Sequence, residues 1–167
     1  MVLAVAIVHG IPQFISDVID MPIGKDSRVR ERQAIRKIEN GGRSAITRYE
    51  VQERFEHAPQ HDLLSPQHAN DKKLPPPPQK FAFVKLSPKT GRTHQLRVHM
   101  NAIGHPMVGD TMYGGRPLAT PSFTFARQAL HAFEITFTHP VTLNQMTLSA
   151  PLPPDIQMLI AELRGKP

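Results

Sequence analysis

Six consecutive apolar residues, Leu3 to Val8 (LAVAIV), stand at the head of the chain. A strand with no polar alternation has no wet face, so this run belongs inside a sheet covered on both sides, although periodicity alone leaves a helical segment open. No basic residue precedes it and His9-Gly10 cuts it short, so it reads as neither a secretion signal nor a membrane span. The expectation is a soluble, cytoplasmic protein. Its 167 residues fit one domain, 1–167, large enough to bury a core without staples. The absence of cysteine excludes disulfides, thiolate metal sites and cysteine nucleophiles.

The formal charge is +6, with 20 Lys and Arg against 14 Asp and Glu, which points to an anionic partner. The excess is local. Between Lys25 and Arg48 eight cations face three acids, and Lys85, Lys89, Arg92 and Arg97 follow with no acid among them. The remainder of the chain is net acidic. Two solvated basic faces would give the same composition, so charge alone leaves the partner open.

Pattern predicts the elements. Gln33 to Ile38, the turn Glu39-Asn40-Gly41-Gly42, and Arg43 to Phe55 read as a hairpin, because Asn-Gly supplies the positive φ that tight turns require. In the second arm Ala45, Thr47, Tyr49, Val51 and Phe55 face one way and Arg48, Glu50, Gln52 and Arg54 the other. Residues 56–79 lose all periodicity and end in four prolines, which reads as an exposed insertion. Phe81 to Leu86 is a strand. A helix follows, with Thr93 as its expected cap, Gly104 as its stop, an apolar stripe of Leu96, Met100 and Ile103, and a polar edge of His94, Arg97 and Asn101. Ala129 to Phe137 and Gln145 to Ala150 form a second hairpin, and Ile156, Leu159, Ile160 and Leu163 a terminal amphipathic helix. The fold class is α+β with a largely antiparallel sheet.

Nine histidines raise the question of a metal. His94 and His99 are five apart, which brings them to one side of neither a helix nor a strand. His105, His131 and His139 sit near turns or in an alternating strand, where satisfied structural roles are commoner. No metal site is expected.

The sharpest feature is Thr90-Gly91-Arg92-Thr93-His94-Gln95-Leu96-Arg97-Val98-His99, followed by Gly104-His105-Pro106-Met107-Val108-Gly109-Asp110 and Tyr113-Gly114-Gly115. Together with Gly42 to Tyr49, Gln128 to Pro140 and Ala150 to Pro153, this stretch closely resembles the RluA family of RNA pseudouridine synthases, most of all those acting on large-subunit ribosomal RNA. The order and spacing hold from Leu3 onward apart from the proline-rich insertion.

The resemblance implies a pseudouridine-synthase fold, a cofactor-free isomerisation, and an RNA partner, ribosomal or transfer RNA. A uridine is flipped into a pocket, its C1′–N1 bond breaks, the base turns, and C1′ is rejoined to C5. It also implies an essential aspartate in an H-R-L-D motif, a tyrosine that stacks on the base, and a basic residue paired with the aspartate, which is Arg97 here. A guanidinium suits that role because its planar, permanent charge keeps a carboxylate ionised beside RNA. Lys89, Arg92, Thr93, His94, Gln95 and Arg43 are the expected RNA contacts, the residues at the helix start because free backbone N–H groups there suit phosphate or a base edge.

The chain departs from the family in two places. It contains no H-R-L-D, and Val2-Leu3-Ala4 stands where the family carries its stacking tyrosine. Asp17, Asp20, Asp26 and Asp110 are out of register as replacements, Asp110 being expected to organise a turn. The chain therefore reads as the C-terminal portion of a synthase catalytic domain, inactive alone, with its acidic partner supplied by a missing N-terminal segment or second chain. Exposed edge or apolar surface is expected near Leu3 to Val8. The alternatives are a non-catalytic RNA-binding module and an inert gene fragment.

Overall fold

The computed structural model describes residues 1–57, 78–120 and 123–165. Its strands are β1 (Val2–His9), β2 (Ser16–Asp20), β3 (Ile23–Lys25), β4 (Gln33–Ile35), β5 (Ile46–His57), β6 (Gln79–Pro88), β7 (Leu118–Thr120), β8 (Phe123–Phe125), β9 (Leu130–Thr138) and β10 (Gln145–Ser149). The α-helices are α1 (Gln95–Ala102) and α2 (Pro154–Leu163). Six strands make one antiparallel sheet in the order β10-β9-β1-β6-β5-β2, and β3-β4 and β7-β8 form two small ribbons. This is the α+β architecture that the pattern predicts.

The apolar run of β1 is buried throughout, and each face of it has its own cover. Ala4, Ala6 and Val8 share a core cluster with Ala82, Val84 and Leu86 of β6 and with Met100 of α1. Ile7 points the other way, into a cluster with Phe55, Phe81 and the Ile156, Leu159 and Leu163 stripe of α2. Exposed ion pairs, Arg164 with Glu53 and Arg127 with Asp155, tie α2 at both ends.

Three expectations require correction. β1 is not an edge, because β6 and β9 flank it, in register at Ala4–Leu86 and Ala6–Leu130. Exposed apolar side chains lie instead at both ends of the sheet, Ile135, Phe137, Met146 and Leu148 on β9–β10 and Phe14, Ile15 and Val18 at the β2 end.

The first predicted hairpin does not form. β4 pairs with β3, and β5 pairs with β2 and β6. Asn40-Gly41 does turn the chain, with Gly41 at φ 82°, but the turn closes a short 3₁₀ segment at Ile38–Asn40. Gly42 then passes so close to the backbone that a Cβ would fall 2.0 Å from the Arg36 carbonyl oxygen, and Arg43 bridges back to Ile23. The alternation read for β5 is correct all the same: Thr47, Tyr49 and Phe55 are buried, and Arg48, Glu50 and Arg54 exposed.

The insertion is narrower than 56–79, since β5 runs through His57 and β6 begins at Gln79. Most of it lies outside the described residues. The second hairpin, β9–β10, and α2 form as predicted.

Candidate active site

The helix α1 is positioned by its own sequence. Gln95 and His99 are one helical turn apart on the face toward β5. The Gln95 amide oxygen accepts from the Thr90 hydroxyl at 2.8 Å and the Arg92 N–H at 3.0 Å, while its nitrogen donates to the Ile46 carbonyl and the Thr47 hydroxyl, each at 3.0 Å. All four bonding positions of the amide are used. His99, fully buried, bonds the Thr47 hydroxyl at 2.9 Å and the Met21 carbonyl at 2.9 Å. Burial holds its pKa below the usual histidine range. Gln95 and His99 thus lock α1 against β5.

His94 and Arg97 point to the other side, as the predicted polar edge requires. Both meet Tyr113, which is buried. The guanidinium of Arg97 lies over the Tyr113 ring at 4.8 Å, and His94 Nδ1 is 2.8 Å from the phenol oxygen. Gln33 N–H donates to that same oxygen at 3.0 Å, which leaves the phenol hydrogen for His94. His94 takes the position before the helix in a left-handed conformation, φ 56°, and caps nothing with its side chain. Its pKa is lowered, first by burial and then by the Arg97 charge. Thr93, the expected cap, makes no capping bond. Gly104, at φ 85°, ends the helix as predicted.

Arg97 carries the central interaction of the site. Its Nε donates to one oxygen of Asp110 at 2.8 Å and its Nη2 to the other at 2.7 Å. The arrangement is a planar fork between a carboxylate side chain that is 1% exposed and an arginine side chain that is 15% exposed. Bonding to Asp110 raises the Arg97 pKa still further. The expectation that no carboxylate of this chain meets Arg97 is therefore corrected. Asp110 does organise the turn, accepting from Tyr113 N–H, and it also holds the guanidinium. Gly109 makes this possible: at φ 75° it passes so near Arg127 that a Cβ would sit 1.9 Å from that carbonyl oxygen.

Beside Arg97 opens a cleft of about 660 Å³. Lys89, Arg92, His94, Gln95 and Arg97 line it, with Val2 and Leu130 as apolar wall, and no carboxylate is among its described lining residues. Asp110 and Tyr113 do not line it; they brace Arg97 from outside. The Arg97 Nη1 has no hydrogen-bond partner among the described residues.

Of the predicted contacts, Lys89, Arg92, His94, Gln95 and Arg97 are brought together. Arg43 and Thr93 are exposed but lie outside the cleft lining. Gln95 lines the cleft, but its amide is fully engaged within the protein as a clamp. Arg92 is exposed and spends only Nε, on the Ser44 carbonyl at 3.0 Å. Sequence reasoning missed Tyr113 as the platform for Arg97, although Asp110 and Tyr113 stand three apart within one motif and one 3₁₀ turn. Among the described residues no cluster of histidine and acidic side chains could hold a metal.

Comparison with known proteins gives this arrangement its family. The sequence profile described as RNA pseudouridylate synthase matches residues 5–102. The chain belongs to the RNA pseudouridine synthase family. It is 36% identical over 159 residues to the uncharacterized RNA pseudouridine synthase YlyB of Bacillus subtilis, covering 95% of this chain and 43% of that one. To the ribosomal large subunit pseudouridine synthase D of Pseudomonas aeruginosa it is 37% identical over 155 residues, covering 87% and 40%. In three dimensions it is similar to human RNA pseudouridylate synthase domain containing 1, with TM-score 0.66, 26% identity, and coverage of 99% of this chain and 66% of that one. The chain spans about two fifths of the length of these curated relatives.

Proposed function

We propose that this chain forms the cationic half of a uridine-isomerising centre for RNA, with ribosomal RNA as the favoured substrate because several relatives are named for the large ribosomal subunit. The observation that carries the reading is the cleft itself, in which three cations and an apolar wall surround a space suited to one flipped nucleotide, with no acid among its described lining residues to repel a phosphate.

In that reaction the C1′–N1 bond breaks, the base turns, C1′–C5 forms, C5 loses its proton, and N1 gains one. Asp110 holds the Arg97 guanidinium in plane and Tyr113 supports it from below. The free Nη1 then binds an incoming anion end-on, either RNA phosphate or the carboxylate of another segment. Lys89 and Arg92 hold the backbone, and Val2 and Leu130 receive the base.

The sequence offers no H-R-L-D, and Asp110 stands outside the cleft, so none of the described lining residues supplies the acid. Alone, the chain binds RNA and does not isomerise it. Binding without catalysis is the second reading, and the absence of a carboxylate among the described lining residues favours it. Titration with a uridine-containing RNA hairpin tests both. The expected result is micromolar binding that weakens steeply between 50 and 200 mM salt, on the order of tenfold or more, and weakens again in Arg92→Ala. Binding that is absent, or indifferent to salt and to Arg92, contradicts the proposal.

A further inference from the structure

The Tyr113 side chain is buried, and its partners decide where the phenol hydrogen goes. The oxygen accepts the Gln33 N–H at 3.0 Å, and His94 Nδ1, 2.8 Å away, is the one group bonded to it among the described residues that can take the hydrogen. A buried hydroxyl keeps a partner for its hydrogen, so Nδ1 is the acceptor and the proton of the neutral ring stands on Nε2. Burial and the Arg97 charge both lower the His94 pKa, which keeps the ring neutral at pH 7.

The same contact aims the ring. His94 lines the cleft and Tyr113 does not, so the ring edge bonded to Tyr113 is turned away from the cleft and the opposite edge, with Nε2, is turned toward it. The two rings meet edge to face, their centres 5.6 Å apart at 78°. Nε2 has no hydrogen-bond partner among the described residues. The Gln128 amide, also in the lining, can turn over and offer oxygen or nitrogen. His94 cannot, because Tyr113 pins its other nitrogen.

A neutral donor that never becomes an acceptor is selective. Lys89, Arg92 and Arg97 carry the charge that suits phosphate or carboxylate, whereas an uncharged N–H suits a base carbonyl. Isomerisation gives that donor a target it does not lose. Exchanging N1 for C5 at C1′ rotates uracil about the line from N3 to C6, so O2 and O4 trade places. A donor set against either carbonyl meets one oxygen before the rotation and the other after it. Cytosine has an oxygen at only one of these positions and an amino group, itself a donor, at the other.

We infer that His94 Nε2–H holds a carbonyl oxygen of the target uracil both before and after the base rotates, with Tyr113 as its positioning residue, so that His94 determines specificity for a base with oxygens at both positions. The inference rests on the RNA reading above. It is tested with an RNA hairpin bearing one bulged nucleotide, made as uridine, as pseudouridine and without a base. The native chain should bind the first two alike and the abasic form more weakly. In His94→Asn the shorter amide still reaches Tyr113 and suits the left-handed backbone but does not reach the cleft. It should lose about five- to tenfold in affinity for both bases and nothing for the abasic hairpin. His94→Gln, with an amide nitrogen in the place of Nε2, should recover most of that loss. Long-range proton–nitrogen NMR should find the proton on Nε2 in the native chain and shared between both nitrogens in Tyr113→Phe. Unchanged affinity of His94→Asn for uridine, a loss confined to uridine, an equal loss on the abasic hairpin, or a native proton on Nδ1 overturns the inference while the RNA reading stands. Failure of every hairpin to bind overturns both.

Discussion

Arg97 and Asp110 are joined by two parallel hydrogen bonds, 2.8 and 2.7 Å long, and the pair stands at the border of a cleft that Asp110 itself does not enter. The fork fixes the plane of the guanidinium and uses two of its three nitrogens. The third nitrogen, Nη1, has no hydrogen-bond partner among the described residues.

Removing either partner strands the other. Arg97→Ala leaves a nearly inaccessible carboxylate without its counter-charge, and the expected loss is about 3 kcal/mol of stability, as for other buried pairs that lose one member. Arg97→Lys keeps a charge but not the fork and should fall between. Urea unfolding at pH 7.5 measures both; equal stability of all three proteins would show that the pair is not structural.

Gln95→Ala should cost on the order of 2–3 kcal/mol, because Thr90, Arg92, Ile46 and Thr47 all lose a partner at once. RNA affinity, measured where both proteins are folded, should change less than threefold. A large affinity loss with intact stability would restore Gln95 as an RNA contact.

His94 separates backbone strain from bonding. A non-glycine residue at φ 56° carries a penalty of about 1 kcal/mol that glycine avoids. His94→Gly loses only the Tyr113 bond, while His94→Ala loses the bond and keeps the strain. Thermal unfolding should therefore rank the glycine variant above the alanine variant by about 1 kcal/mol; the reverse order would contradict the assigned conformation.

How far the sequence alone reaches can be judged at the same residues. β1 was legible from its unbroken apolar run, and the α1 stripe, the β9–β10 hairpin and α2 from local periodicity. The β4–β5 hairpin was not, because Asn40-Gly41 announces a turn without saying which strands it joins, and Ile23 captures Arg43 by a contact twenty residues away in sequence. The cations of the cleft were legible as a motif. That Gln95 points inward and Arg97 meets Asp110 was not, since both depend on where β5 and the 109–115 turn lie against the helix.

Stability should depend on pH through His9, His94 and His99, whose pKa values are lowered chiefly by burial. The unfolded chain takes up protons near pH 6.5 while the folded chain resists them, so below that pH the unfolded state binds more protons and stability falls. Unfolding free energy should be flat from pH 8 to 7 and decline as pH drops through 6.5 toward 5. His99→Gln should flatten the decline; a native chain that gains stability on acidification would contradict the burial of these rings.

The most direct test is release of tritium from RNA labelled at uridine C5, since isomerisation must expel that hydrogen. The purified 167-residue chain, bound to RNA, should release none above background. Joined to the part of the Bacillus subtilis relative that lies outside the match it should release tritium, and Arg97→Ala in that fusion should lower the rate at least a hundredfold. Release by the chain alone, or by the fusion without regard to Arg97, would contradict the assignment of this cleft as the cationic half of the centre.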